Sequence, residues 1–384
     1  MRSCSFTSKL YRPAQSGGRI LSGLLCVLLA ACASPRESTV ASVEVAHVPD
    51  WPASVFEQSL QTAENPFPLE VAVVVFDPGV TTGDLDEAQY ALRSVEARLL
   101  TVRLRELLTA SGRWGAVRVL PNASAFADVT ITGRIEHSDG RDLVLKIRAS
   151  DAQGRDWLKE TYRYTTTLAR YDQQSLQGPF DPLFIAVVND LAARAQTLDD
   201  NALRTLRTVS QLRYASELAP SAFSDYLSEE AGQFQLLRLP AANDPMVGRI
   251  TRIRNQEALF IDTVDEQYVE LRDTVGATYR LWQRSAFEQA DYLEQYRGRA
   301  SGRSLTAARG SYAAMQQVYS TYRSVRTQEQ DLFELATGFD NETADTVMKA
   351  GDRVITLAGT LTQQYADWRR ILASILVLER GETL

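Results

Sequence analysis

Halfway along this chain the spacing of its apolar residues changes, and two kinds of architecture follow from that change. Up to Thr167 the apolar residues run together or alternate over strand-length stretches; beyond residue 199 they recur three, four or seven apart. Leu69–Phe76 (LEVAVVVF) is near-continuously apolar and β-branched, as a strand buried on both faces requires. Asp77-Pro78-Gly79 ends it. From Leu85 to Leu108 the period is helical, with Ala91, Val95, Leu99 and Val102 among the apolar positions, and Ser111-Gly112 closes the helix. Ala116–Leu120, Val129–Ile135, Leu143–Ile147 and Trp157–Tyr164 read as further strands, with turns at Ser138-Asp139-Gly140 and Asp151–Gly154. A helix over Pro182–Ala195 follows. This order predicts an α+β sandwich domain over about residues 69–197, a small antiparallel or mixed sheet with packed helices.

In the second half Met246, Ile250, Ile253, Phe260, Val264, Leu271, Val275, Tyr279 and Trp282 form a heptad-like seam among charged residues. Unbroken from Met246 to Arg297, such a helix would be about 78 Å long; Gly276 leaves its continuity open. Tyr312–Leu335 supplies another stripe, rich in tyrosine (Tyr312, Tyr319, Tyr322), and Val347, Val354, Leu357, Leu361, Tyr365, Trp368, Leu372 and Ile375 a last one. Gly298–Gly302 and Gly338–Asn341 are the natural turns. An all-α antiparallel helical bundle over 199–384 is expected, its stripes forming the core. The chain is expected to divide between about residues 195 and 225, the α/β part folding on its own.

The N-terminus carries an address. Arg2, Lys9, Arg12 and Arg19 precede the apolar run Ile20–Ala31, with no acidic residue among them. At about 12 residues that run is too short to span a bilayer, which needs roughly 20. It ends in Leu29-Ala30-Ala31-Cys32, which resembles the bacterial lipobox. The resemblance implies cleavage after residue 31, diacylation of the Cys32 sulfur and acylation of the new amino group. Ala33, where Asp would favour inner-membrane retention, implies the outer membrane, with the chain facing the periplasm. Residues 32–68, rich in Ser, Pro, Ala and Glu, show no sustained period and read as a tether. Cys4 and Cys26 leave with the signal 1–31, so no internal disulfide can form. Loss of the leader's four cations takes the formal charge from −7 to −11. Such a chain has no global attraction for nucleic acid or anionic headgroups.

A second resemblance covers about a third of the chain. Val71–Phe76, the helix ending Leu107-Leu108 and Ser111-Gly112, Ala127-Asp128 with Gly133 and Ile135, and Ile147-Arg148 with Asp151 and Gly154 together carry it. These residues resemble the periplasmic α/β domain of curli-secretion-channel-like lipoproteins, of the TolB N-terminal domain and of lipoprotein activators of peptidoglycan synthases. Gly133 marks a bulge or a close backbone approach. Hairpins long enough for a membrane barrel are not found, and no propeller repeats follow.

Chemistry is sparsely signalled. The two histidines are His47, in the tether, and His137, beside a turn. Ser138 and Asp139 adjoin His137, but neighbours on a strand end cannot converge on one substrate atom, so it reads as an exposed turn residue. Glu229-Glu230 and Asp199-Asp200 fit helix starts or exposed helix faces, where acids suit the dipole. No phosphate loop, dinucleotide fingerprint or metal-ligand pattern is present. No residue is assigned a catalytic, cofactor or metal role, and Cys32 is the one assigned site. The reading is a lipid-anchored accessory protein that docks an envelope protein and performs no turnover; self-association is left open. The alternative is a peptidoglycan-directed factor, a synthase activator or a weak carboxylate-based hydrolase. A closed surface favours the first, and a cleft gathering aromatic and carboxylate residues favours the second.

Overall fold

A computed structural model describes residues 51–64, 67–81, 87–172, 178–241, 243–301, 312–342, 345–350 and 353–379. The signal, Cys32, His47 and the first part of the tether lie outside them. All described residues belong to one compact unit, Asp50–Leu384. Its elements are β1 (Phe67–Val74), α1 (Glu87–Ala110), β2 (Trp114–Leu120), β3 (Val129–Ser138), β4 (Asp142–Asp151), β5 (Asp156–Thr165), α2 (Leu168–Asp172), α3 (Asp181–Ala195), α4 (Asp200–Leu218), α5 (Pro220–Phe223), β6 (Leu227–Glu230), β7 (Gln233–Leu236), α6 (Pro245–Ser301), α7 (Tyr312–Glu342), β8 (Thr346–Ala350), β9 (Arg353–Leu357) and α8 (Leu361–Glu379).

The first five strands form a mixed sheet in the order β2-β1-β3-β4-β5. β1 runs parallel to both neighbours, and β3, β4 and β5 are antiparallel, as consecutive hairpins must be. Alternation then decides which side chains meet which helices. Val71, Val73, Ile131, Leu145 and Ile147 point to an inner face packed by Leu100, Leu104 and Leu108 of α1 and Phe184, Val187 and Leu191 of α3. The outer face is covered over only part of its width. Ala72 and Val74 of β1, with Val119 and Leu120 of β2, share a core with Leu212 and Tyr214 of α4, Phe260 and Val264 of α6, and Trp368 and Leu372 of α8. Over β3–β5 the outer positions Thr132, Arg134, Lys146, Arg148 and Lys159 are exposed.

Asp128 and Gly133 each have a structural role here. Asp128 Oδ2 accepts the Glu70 amide at 2.9 Å, tying the start of β3 to β1. Gly133 is a close approach: a Cβ there would stand 2.6 Å from the Phe76 ring.

Several expectations require correction. Residues 51–64 are no free tether. Val55 N donates to Arg163 O at 2.8 Å, Asn189 Nδ2 donates to Gln58 Oε1 at 3.0 Å, and Ala63 N donates to Ser111 O at 3.0 Å. Val55 and Leu60 pack on the inner core. The boundary expected between about 195 and 225 is no break in packing either, because β1, β2, α4, α6 and α8 share one core. A further cluster joins Leu92, Val95 and Leu99 of α1 to Leu271, Val275 and Tyr279 of α6 and Leu332 of α7. The second half is not all helix, since it contains the antiparallel hairpins β6–β7 and β8–β9. Val347, Val354 and Leu357 therefore belong to a hairpin, and α8 begins at Leu361. Helix α6 runs unbroken through Gly276 for 57 residues. Its seam is buried from Ile250 to Trp282, whereas Tyr319 and Tyr322 of α7 are exposed.

Candidate functional site

Where the covered part of the outer face gives way to the open part, an open cleft of about 660 Å³ is formed. One wall is Thr130, Thr132, Arg148 and Ser150 of the sheet; the other is Arg213, Ser216 and Glu217 of α4 with Leu227, Glu229 and Phe234 of the β6–β7 hairpin. Ser124 lines its end.

Backbone geometry sets the hairpin against the sheet. Its two-residue loop, Ala231 (φ 52°) and Gly232 (φ 77°), has the positive angles that match strand twist. Phe234 N donates to Gln153 O at 2.9 Å. Gly154, at φ 79°, lets the chains close: a Cβ there would lie 2.0 Å from Gly232 O. Asp151, buried, caps this turn by accepting from the Gln153 amide (2.9 Å) and the Trp157 indole (2.9 Å).

Arg213 lies across the cleft wall, its guanidinium carbon 3.9 Å from the centre of the Phe234 ring. One nitrogen donates to Ala152 O at 2.8 Å. Burial lowers its pKa, while Glu217, Glu229 and Asp151 pull the other way. Burial by itself would raise Glu217, but the hydrogen bond and charge of Arg369 and the Ala125 amide outweigh it and hold that carboxyl low. Arg369 Nη1 donates to Glu217 Oε1 at 3.0 Å.

Behind Ser124 lies a sealed polar cluster. Glu257 of α6 is fully buried and accepts from Tyr214 OH and Tyr365 OH, each at 2.7 Å. Arg369 Nε stands 3.3 Å from Oε1, the oxygen that also accepts from Tyr365. Burial raises the Glu257 pKa, with Arg369 and the two hydroxyls opposing. The Tyr365 hydroxyl also meets Ser124 Oγ at 2.9 Å, which links the cluster to the cleft. Both Glu257 oxygens are engaged and none of its surface is open, so it fastens α4, α6 and α8 and touches no ligand. Glu217, held ionised, is unsuited to donating a proton.

His137 lies within β3, not at an exposed turn, with its ring 4.5 Å from that of Trp51 and Nε2 3.1 Å from Asp139 Oδ2. Ser138 Oγ turns away to buried Glu96 at 2.6 Å, so the three neighbours do not converge. Asp199 caps α4, accepting from Ala202 N at 2.7 Å, and Asp200 lies in its first turn. Glu229 and Glu230, expected on a helix, are in β6, and Glu229 lines the cleft. Cys32 lies outside the described residues. Among the described residues no group of three His, Cys, Asp or Glu side chains is placed to hold a metal ion, and no helix is long and apolar enough to cross a membrane.

What fold and cleft define is a class: a mixed sheet with packed helices, one of them very long, and a polar cleft on the sheet's outer face. No family model, no curated protein and no solved structure matches this chain.

Proposed function

We propose that this chain is a lipid-anchored accessory protein of the bacterial outer membrane, held at Cys32 and facing the periplasm, that works by docking a partner and not by turnover. The lipobox-like Leu29–Cys32 behind a basic, apolar leader supports the anchor, and Ala33 supports the outer membrane. The order β-α-β-β-β-β supports kinship with the periplasmic lipoprotein domains named above. We read α6, α7 and α8 as a bundle interrupted by short hairpins.

The single observation that carries a binding role is the cleft: Arg213 stacked on Phe234, with hydroxyls from Ser124, Thr130, Thr132 and Ser150 around it. Aromatic and Arg contacts concentrate binding energy. A cleft that gathers Phe234 with the Glu217 and Glu229 carboxylates meets the criterion for the second reading, a peptidoglycan-directed factor, and its hydroxyls and guanidinium suit a glycan strand or its peptides; the docking reading requires a partner segment that enters this cleft. Two tests separate these. A photo-crosslinking residue at position 234 of the lipidated protein should capture a defined envelope protein that one at position 378 does not. Sedimentation with isolated peptidoglycan, abolished by Arg213→Ala, would instead select the second reading. For the anchor, Cys32→Ser should leave an unprocessed or soluble protein. Cleavage after residue 31 and outer-membrane partitioning of that variant would overturn it. Turnover of glycan or peptide ester substrates by the soluble form, lost on replacing Glu217 or Glu229, would overturn the binding role.

A further inference from the structure

The open part of the sheet carries a charge arrangement that its own stability does not favour. Cross-strand pairing puts Lys146 opposite Arg134 and Arg148 opposite Lys159, two like-charged pairs side by side on one outer face. Arg163 shares that face, since it pairs with Val144, two residues from Lys146. The arginines have carboxylates within reach. Arg134 meets Asp77 (3.5 Å) and Glu136 (3.7 Å), Arg148 meets Asp156 (2.7 Å) and Arg163 meets Asp142 (2.9 Å). The side chains of Lys146 and Lys159 have no ion-pair or hydrogen-bond partner among the described residues, and both are exposed. Beyond the leader, the chain has three lysines, at 146, 159 and 349, so two of three stand unpaired on one outer face of an acidic protein.

The face also bears the point where the N-terminal segment reaches the folded unit. His137 pairs with Val144 and so lies on this face, and Trp51, the first described residue, packs against its ring. From Cys32 to Trp51 there are about 19 residues, a reach of at most about 65 Å.

We infer that the part of the outer face of β3–β5 beyond the cleft lies against the anionic headgroups of the membrane that holds the lipid, with Lys146 and Lys159 as its phosphate contacts. Unpaired cations on neighbouring strands complement an array of phosphates better than they complement a single small ligand. The role is orientation: the anchor holds the chain at the membrane and the face decides which side of the sheet turns to it. This rests on the anchored reading above.

The test uses the chain lacking residues 1–32, which keeps the whole compact unit and has no lipid, so it reads the face and not the anchor. It is sedimented with vesicles of phosphatidylcholine alone or containing phosphatidylglycerol. Binding to the anionic vesicles is expected at low salt and its loss at high salt. K146E/K159E should weaken it by more than about thirtyfold, at about tenfold per 1.4 kcal/mol and about 1 kcal/mol per cation removed. K349E, on β8, should not change it. Each lysine reversal sets opposite charges across the strands, so the fold is not put at risk; K146A/K159A gives the same reading with a smaller loss. Equal binding to both vesicle types, or loss shared by K349E, overturns the inference. Binding of an acidic peptide in place of vesicles does so too and gives the face to a protein partner. The Cys32→Ser result stands or falls separately.

Discussion

Glu257 is a carboxyl shut away from water, and its contribution to stability depends on pH. Burial raises its folded pKa above the ordinary 4.5. In the window between those values the folded state keeps a proton that the unfolded chain releases, so stability falls as pH rises through it. Glu217 has the opposite sign: its contribution is present above the ordinary value and is lost as pH falls through its lowered one. Glu257→Gln should therefore flatten the fall of melting temperature with rising pH above about 4.5. Identical slopes in variant and parent would mean that Glu257 is ionised throughout. Tyr365→Phe removes one donor to Glu257 and the partner of Ser124. A cost of about 1–3 kcal/mol is expected by chemical denaturation, the penalty for unpaired buried polar atoms. A loss near zero would show that the cluster is relaxed by water. None of these residues was legible in the sequence as a group. Ser124, Tyr214, Glu217, Glu257, Tyr365 and Arg369 sit on four separate segments, and only their packing brings them together.

At the scale of elements, strength of pattern decided what could be read. Strands β1 to β5 were legible because each alternates or runs apolar over at least five residues and ends in turn chemistry. Helix α6 was legible from its seam. The hairpins were not. β6 and β7 have four residues each, with Glu229 and Glu230 mimicking a helix start, and Val347, Val354 and Leu357 fall at helical spacings by accident. The continuity of α6 at Gly276 was also undecidable from a glycine alone, and the structure now makes a prediction of it. A Cβ added there meets nothing within 4 Å. Gly276→Ala should thus stabilise by about 0.5–1 kcal/mol through helix propensity. An unchanged or lowered midpoint in urea would indicate that the helix bends at this residue in solution.

For the whole molecule, the shared cores argue against separable halves. Residues 51–200 alone would expose Ala72, Val74, Val119 and Leu120 on one side and Leu92, Val95 and Leu99 on another. Such a fragment should show no cooperative thermal transition by circular dichroism. A native-like cooperative melt would restore two domains. The stretch before β1 also has a mechanical side. Its bonds to β5, α3 and the end of α1 follow one another along the chain, so tension from the N-terminus breaks them singly, as a seam is unpicked. β1 itself is gripped between β2 and β3, where a pull along the strand loads its ladder all at once. In single-molecule stretching through residue 51, a weak early event releasing roughly 50 Å of slack should precede the main rupture. Residues 51–64 are then a mechanical fuse: a tug on the N-terminus is spent there before any load arrives at the centre of the sheet.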